Sequence, residues 1–122
     1  KLLGKSLTTI NLLYKNKLAY MIITQNDFLE TQAEESDTDN FVNYNLSIEG
    51  VILGLLFIEL KNGFKISFRS KGNIRADLLA QKFGGGGHKN ASGARFYNQK
   101  MTKEIIESIL NQSVNFLIES GE

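Results

Sequence analysis

Four consecutive glycines followed by the chain's only histidine form the segment of this sequence best suited to bind an anion. They occupy residues 84–88, and Lys89 and Ser92 follow within four positions. Because glycine has no side chain, its backbone N–H can approach a bound oxyanion closely, as in phosphate-binding nests. His88 adds a hydrogen-bond donor that can carry charge, and Lys89 adds a fixed positive charge. These residue types predict a phosphate-binding loop.

The glycine run matches neither of two common nucleotide-binding motifs. It lacks the third glycine of the Rossmann GxGxxG pattern and the Gly-Lys-Ser/Thr ending of a P-loop. A purely structural reading explains Gly84 as the C-terminal cap of a preceding helix. That reading gives no role to the next three glycines or to His88. The residues therefore favour a phosphate site and leave a structural loop as the alternative.

Charge is distributed unevenly along the chain, although its net charge is only +1. Residues 61–100 contain nine lysines and arginines against the single acidic residue Asp77, whereas residues 1–60 contain four lysines and eight acidic residues. A basic stretch that brackets the glycine run suits a phosphate or a nucleic-acid backbone. An ordinary solvated surface is the alternative interpretation.

The composition argues against several other kinds of site. There is no cysteine, so the chain can form neither a disulfide nor a thiolate metal site. Residues 78–103 contain no Asp, Glu or second His that could join His88 around a metal ion. The acidic segment around Asp37 and Asp39 lacks the glycine and the terminal glutamate of an EF-hand. We therefore expect no metal ligands and no membrane-spanning segment in this chain.

Hydrophobic patterns predict the strands that position these residues. Strands are predicted at 7–14, 18–24, 51–60 and 64–70. The first two are joined through 15–17, and Asn62-Gly63 suits a tight primed turn between the last two. In the last strand Phe64, Ile66 and Phe68 alternate with Lys65, Ser67 and Arg69. The polar side of that strand is expected to face water or a ligand.

Helices are predicted at 25–30, at about 41–48 with Thr38 or Asp39 as N-cap, at 74–83 and from Thr102 onward. Asn73 is expected to cap the third helix, Ile74 and Leu78 to lie on one of its faces, and Gly84 to end it. The last helix should bury Ile105, Ile106, Ile109, Leu110 and Leu117. This order predicts an α/β (α+β) fold, a single domain with a mixed β-sheet of about five strands covered by helices. Arg69 and the basic segment should converge near the C-terminal end of a central strand.

Three segments together resemble the C-terminal DHH-associated domain of the DHH-family phosphoesterases. They are LSIEGVILGLLFIEL (46–60), FRSKGNI (68–74) and GGGGHKNASG (84–93). The chain is similar in particular to bacterial enzymes that degrade very short RNA and 3′-phosphoadenosine 5′-phosphate. The resemblance implies that residues 1–8 end an interdomain connection and that residues 9–122 form the substrate-binding domain.

The resemblance also implies roles for individual residues. His88 would be a catalytic residue that stabilises phosphate rather than a metal ligand, and Arg69 and Ser70 would reach the nucleotide. The remaining phosphate contacts and the rest of the loop would be Gly85, Gly86, Gly87, Asn90, Ala91, Ser92 and Gly93. Because many relatives have alanine in place of Ser92, its hydroxyl is expected to be incidental.

The implied function is that of a nucleotide-binding domain in a cytoplasmic, metal-dependent phosphoesterase acting on short oligoribonucleotides, 3′-phosphoadenosine 5′-phosphate, or both. Two Mn²⁺ ions are expected in an N-terminal DHH domain of the same polypeptide. This chain would bind no cofactor, contact no membrane and be inactive alone. One alternative is a non-catalytic nucleic-acid (tRNA-like) binding module. Another is the same domain in a cyclic-dinucleotide or single-stranded-DNA phosphodiesterase.

Overall fold

A six-stranded sheet runs through the chain, of which the computed structural model describes all residues, 1–122. Its strands are β1 (Asn11–Leu13), β2 (Leu18–Ile23), β3 (Leu53–Leu60), β4 (Gly63–Ser70), β5 (Gly86–His88) and β6 (Ala91–Tyr97). Their order across the sheet is β1-β2-β3-β4-β6-β5. Only β2 and β3 are parallel. The predicted α+β class and mixed sheet are confirmed, with six strands rather than about five.

Five α-helices and one 3₁₀ helix surround this sheet. They are α1 (Leu2–Leu7), α2 (Gln25–Thr31), α3 (Asn43–Leu46), α4 (Ala76–Gln81) and α5 (Lys103–Glu119), with the 3₁₀ helix at Glu35–Thr38. Thr102 caps α5 as predicted, because its hydroxyl accepts the backbone N–H of Ile105 at 3.2 Å. None of the helices combines the length and the apolar character needed to cross a bilayer.

The two faces of the sheet are covered differently. One face, which carries Phe57, Phe64 and Phe68, packs against α4 and α5 in a core of 16 buried residues. The opposite face is covered only over β2 and β3, where Leu2 and Val42 belong to a second hydrophobic cluster of six buried residues. Over β4, β6 and β5 the residues of that face are half-buried or exposed. We call this part the open face; it carries Lys65, Ser67, Arg69, Ala91, Gly93, Arg95, Gly86 and His88.

The prediction of a helix at 41–48 is mostly wrong. Only α3 forms, it begins after Val42, and neither Thr38 nor Asp39 caps it. Its buried residue is Asn45, whereas Tyr44 is exposed. The Asn45 amide donates to the Leu55 carbonyl oxygen at 3.0 Å, so a polar side chain joins this helix to β3.

The helix predicted at 74–83 is shorter than expected. It begins at Ala76 after Arg75, and Asn73 does not cap it. Its buried side includes Leu79 and Ala80, while Leu78 is exposed. The start is displaced because the Ile74 carbonyl oxygen accepts a side-chain hydrogen bond from Ser70 instead of entering the helix.

Two strand predictions also need correction. The strand expected at 7–14 is limited to β1, because residue 7 ends α1. The turn between β3 and β4 lies at Lys61-Asn62, since Leu60 pairs with Gly63. Neither turn residue has the positive φ that a primed turn requires. Gly63 is needed for packing, because a Cβ there would lie 2.1 Å from the Phe96 carbonyl oxygen.

Residues 1–8, predicted to end an interdomain connection, contain the whole of α1. Leu2 and Ser6 of this helix are buried against the sheet. The assignment of the segment to an interdomain connection stays a prediction.

Candidate phosphate-binding site

The glycine run is a helix end followed by a strand, which corrects the prediction of a loop. Gly84 has φ +80, and its N–H donates to the Gln81 carbonyl at 3.1 Å. The Gly85 N–H donates to the Ala80 carbonyl at 2.9 Å. These two bonds are a Schellman arrangement that closes the turn after α4. The α-helical residues end at Gln81, earlier than predicted, and the helical turn stops at Gly84 as predicted. The Gly85 amide is therefore engaged within the protein.

Close packing accounts for two of these glycines. A Cβ at Gly85 would lie 2.1 Å from the Gly93 carbonyl oxygen. A Cβ at Gly87, which has φ +145, would lie 2.8 Å from the Ala91 carbonyl oxygen. At Gly86 a Cβ would meet no atom of the chain within 4 Å. Gly86 is thus the one member of the run that the fold itself does not explain.

The register of the strands places Arg69 and His88 in one row of the open face. Arg69 opposes Ala91 of β6, and Ala91 opposes His88 of β5. Directly opposed residues of antiparallel strands project to the same face. Two strand spacings separate the Cα atoms of Arg69 and His88 by about 10 Å. Only the Ala91 methyl lies between them in this row, so the predicted convergence of Arg69 with the basic segment at the end of β4 is confirmed.

Arg69 is the only one of the three arginines that lacks a carboxylate partner. Arg75 pairs with Asp77 at 2.7 Å, and Arg95 pairs with Glu35 at 2.9 Å. The half-buried Arg69 donates only to the carbonyl oxygen of Phe68, at 2.9 Å. Burial lowers the pKa of its guanidinium. A partly desolvated cation without a counter-charge would be stabilised by an anion bound at the open face.

Three of the predicted contact residues use their side chains inside the protein. The hydroxyls of Ser70 and Ser92 donate to the carbonyl oxygens of Ile74 and Ala76, at 2.5 and 2.7 Å. The Asn90 amide donates to the Ser70 hydroxyl at 3.0 Å. These bonds tie the segment after β4 to the β5–β6 hairpin, and the predicted contacts of the three residues with substrate stay predictions. The Ser92 hydroxyl thus has a structural hydrogen bond, and its expected lack of a role in substrate binding stays a prediction.

We expect Ser92→Ala to lower the free energy of unfolding by about 1 kcal/mol, because it removes a buried hydrogen bond. Urea denaturation of the variant and the wild type measures this difference. Ser67→Ala, on the open face of β4, is the matched control and should change stability by less than about 0.5 kcal/mol. Equal unfolding free energies for Ser92→Ala and the wild type would show that the hydroxyl is dispensable.

Sequence reasoning missed Glu35, which lies in the acidic segment around Asp37 and Asp39. Its carboxylate contacts Lys65 at 2.8 Å and Arg95 at 2.9 Å. A hydrogen bond from Lys65 holds the pKa of Glu35 below its usual value. A carboxylate from the acidic residues 1–60 therefore neutralises part of the positive charge of residues 61–100. No three His, Cys, Asp or Glu side chains come together in a group that could hold a metal ion.

A family model of the DHHA1 domain matches residues 15–115. The chain belongs to the DHHA1 domain family. This membership confirms the resemblance of its glycine-histidine and Arg-Ser segments to the DHH-associated domain.

Two curated relatives are both named bifunctional oligoribonuclease and PAP phosphatase NrnA. The protein of Bacillus subtilis is 29% identical over 97 residues, which are 80% of this chain and 31% of the relative. The protein of Thermus thermophilus is 38% identical over 65 residues, 53% of this chain and 20% of the relative. The chain thus spans about a fifth to a third of the length of these relatives.

Two solved structures share this DHHA1 fold. An exopolyphosphatase-related protein from Bacteroides fragilis matches with a TM-score of 0.82 and 33% identity, over 93% of this chain and 33% of its own. The pGpG-specific phosphodiesterase PggH of Vibrio cholerae matches with a TM-score of 0.61 over 93% of this chain and 37% of its own. At 16% identity the second match shows the common fold alone.

Proposed function

We propose that this DHHA1 domain binds the substrate of a metal-dependent DHH-family phosphoesterase that hydrolyses short oligoribonucleotides, 3′-phosphoadenosine 5′-phosphate, or both. The observation that carries the proposal is the half-buried Arg69, unpaired with any carboxylate, in the same row as the exposed His88. The names of the NrnA relatives support a substrate with phosphoester bonds.

In this proposal a phosphate group lies over Ala91, between the two basic side chains. The guanidinium of Arg69 offers paired N–H donors that match two phosphate oxygens. His88 donates from the other side, and its charged form strengthens the bond. β5 is an edge strand, so one side of its backbone has no strand partner and is open to a ligand. Gly86 keeps that approach free of a side chain.

The proposal assigns catalysis to the complete polypeptide, with this chain binding and orienting the substrate. Two Mn²⁺ ions in an N-terminal DHH domain would supply an activated water. Arg69 and His88 would hold the phosphate in place and stabilise the negative charge that develops on it. The DHHA1 domain alone is proposed to be inactive, and the whole enzyme to be cytoplasmic.

An NMR titration of this chain with 3′-phosphoadenosine 5′-phosphate tests the site. We expect chemical shift changes to concentrate at residues 69–70 and 84–93. Adenosine, which has the same base and no phosphate, is the control and should produce much smaller changes there. Changes confined to α5, or no changes at all, would contradict the proposed site.

Activity assays of the complete polypeptide with Mn²⁺ separate the candidate substrates. They compare 3′-phosphoadenosine 5′-phosphate, a dinucleotide RNA, cyclic di-AMP and single-stranded DNA. We expect the first two to be hydrolysed fastest. Hydrolysis of only the last two would favour the alternative of a cyclic-dinucleotide or single-stranded-DNA phosphodiesterase. Binding without any hydrolysis would favour the non-catalytic nucleic-acid binding module.

A further inference from the structure

The open face carries a second pair of basic side chains at its far end. Lys65 of β4 and Arg95 of β6 are direct cross-strand partners. Lys65 precedes Arg69 by four residues on the same strand, which separates their Cα atoms by about 13 Å. Both side chains contact the same oxygen of Glu35, Oε2, at 2.8 and 2.9 Å. One carboxylate oxygen thus occupies the position between two cations where an oxygen of another anion would fit.

Glu35 lies on a short segment of which little is buried. It begins the short 3₁₀ helix, in which only Thr38 is buried. The side chains of Glu35 and Arg95 remain 39% and 40% exposed. An ion pair with this exposure contributes little to stability. The Lys65 side chain is more enclosed, at 19% exposed, and needs an anionic partner. A phosphate group offers more oxygens to the same two cations, so it can replace the carboxylate and keep Lys65 paired.

A cavity beside this pair has room for part of a nucleotide. Its volume is about 460 Å³, and its lining includes Ser67 and Gly93 between the two basic pairs. Tyr97 also lines it, two residues beyond Arg95 on the same face of β6. The Tyr97 side chain is 71% exposed, so its ring is available to stack on a base. On the open face this cavity begins at Ser67 and Gly93, the cross-strand pair next to Arg69 and Ala91, and extends to Tyr97.

We propose that Lys65 and Arg95 form a second phosphate subsite for an oligonucleotide, and that Glu35 occupies this subsite until a longer ligand displaces it. The inference rests on the proposed function, because it extends the same face beyond the first phosphate. A mononucleotide bound at Arg69 and His88 leaves Glu35 in place. An oligonucleotide must displace it, so Glu35 lowers affinity for longer ligands selectively.

Binding of 5′-phosphorylated oligoadenylates of one to five nucleotides to this chain tests the inference. Calorimetry or fluorescence at fixed, low salt measures the dissociation constants. We expect Glu35→Gln to bind the five-nucleotide ligand about fivefold more tightly and AMP with unchanged affinity. Arg95→Gln should bind the long ligand about fivefold more weakly, and Lys65→Gln provides a second variant if Arg95→Gln does not fold.

The matched control is Glu107→Gln, an exposed α5 residue on the other side of the sheet, which changes the net charge equally. It should leave every affinity unchanged. Equal effects of Glu35→Gln on AMP and on the long ligand, or no effect on either, would overturn the inference. Failure of the wild type to bind AMP or any oligoadenylate would instead overturn the proposed function.

Discussion

Arg69→Ala in the complete polypeptide is expected to lower kcat/KM for 3′-phosphoadenosine 5′-phosphate by about a hundredfold. Two charge-assisted hydrogen bonds to a phosphate, each contributing about 1.5 kcal/mol or more, account for a loss of this size. Arg69 has no carboxylate partner, so its removal breaks no ion pair within the domain. The kcat/KM of Arg69→Lys should lie between those of the wild type and Arg69→Ala, because lysine keeps the charge and loses the paired donors. Steady-state kinetics at fixed Mn²⁺ concentration measure the effect.

The control for this prediction is Lys103→Gln, which removes one positive charge from the exposed start of α5. It should change kcat/KM by less than about twofold, since screened charges far from a site act weakly. His88→Ala should also lower kcat/KM, and unchanged kinetics would remove His88 from the mechanism. If Arg69→Ala stays within twofold of the wild type while its thermal unfolding is unchanged, the Arg69–His88 row is not the phosphate site.

Local periodicity was sufficient to predict the strand that carries Arg69. Phe64 and Phe68 alternate with Lys65 and Arg69, and the structure buries the first pair and leaves the second on the open face. Such alternation depends only on neighbouring residues, so it can be read directly from the sequence. The row that joins Arg69 to His88 depends on the register of three strands. That register pairs residues about 20 positions apart in sequence, such as Arg69 and Ala91, and local patterns do not determine it.

The glycine run shows why composition alone could not define the site. Glycine allows many backbone conformations, and the sequence does not state which of them the fold uses. Here the amides of Gly84 and Gly85 satisfy the end of α4, and Gly87 is required by its contact with β6. Glu35 was missed for a related reason, since its partners Lys65 and Arg95 lie 30 and 60 residues away in sequence. These contacts exist only once the sheet has formed.

Alanine substitutions at the neighbouring Gly85 and Gly86 are expected to have different effects on stability. Gly85→Ala places a methyl 2.1 Å from the Gly93 carbonyl oxygen and 2.8 Å from the Ala94 Cα, both backbone atoms of β6. Because neither can move without disturbing the sheet, we expect the free energy of unfolding to fall by about 3 kcal/mol. Gly86→Ala meets no atom within 4 Å and should leave stability unchanged or raise it by about 0.5 kcal/mol. Urea denaturation of both variants measures these values.

The Gly86→Ala variant then tests the role of Gly86 in ligand binding. If a phosphate approaches the backbone of β5 there, the new methyl of Gly86→Ala occupies part of its space. We therefore expect Gly86→Ala to weaken binding of 3′-phosphoadenosine 5′-phosphate about tenfold, which is about 1.4 kcal/mol, in a protein that is folded normally. Gly4→Ala, where the added methyl also meets no atom within 4 Å, is the control and should bind as the wild type does. Normal affinity in a stable Gly86→Ala would mean that no ligand approaches β5 at this residue, and the phosphate would then have to be held by side chains alone.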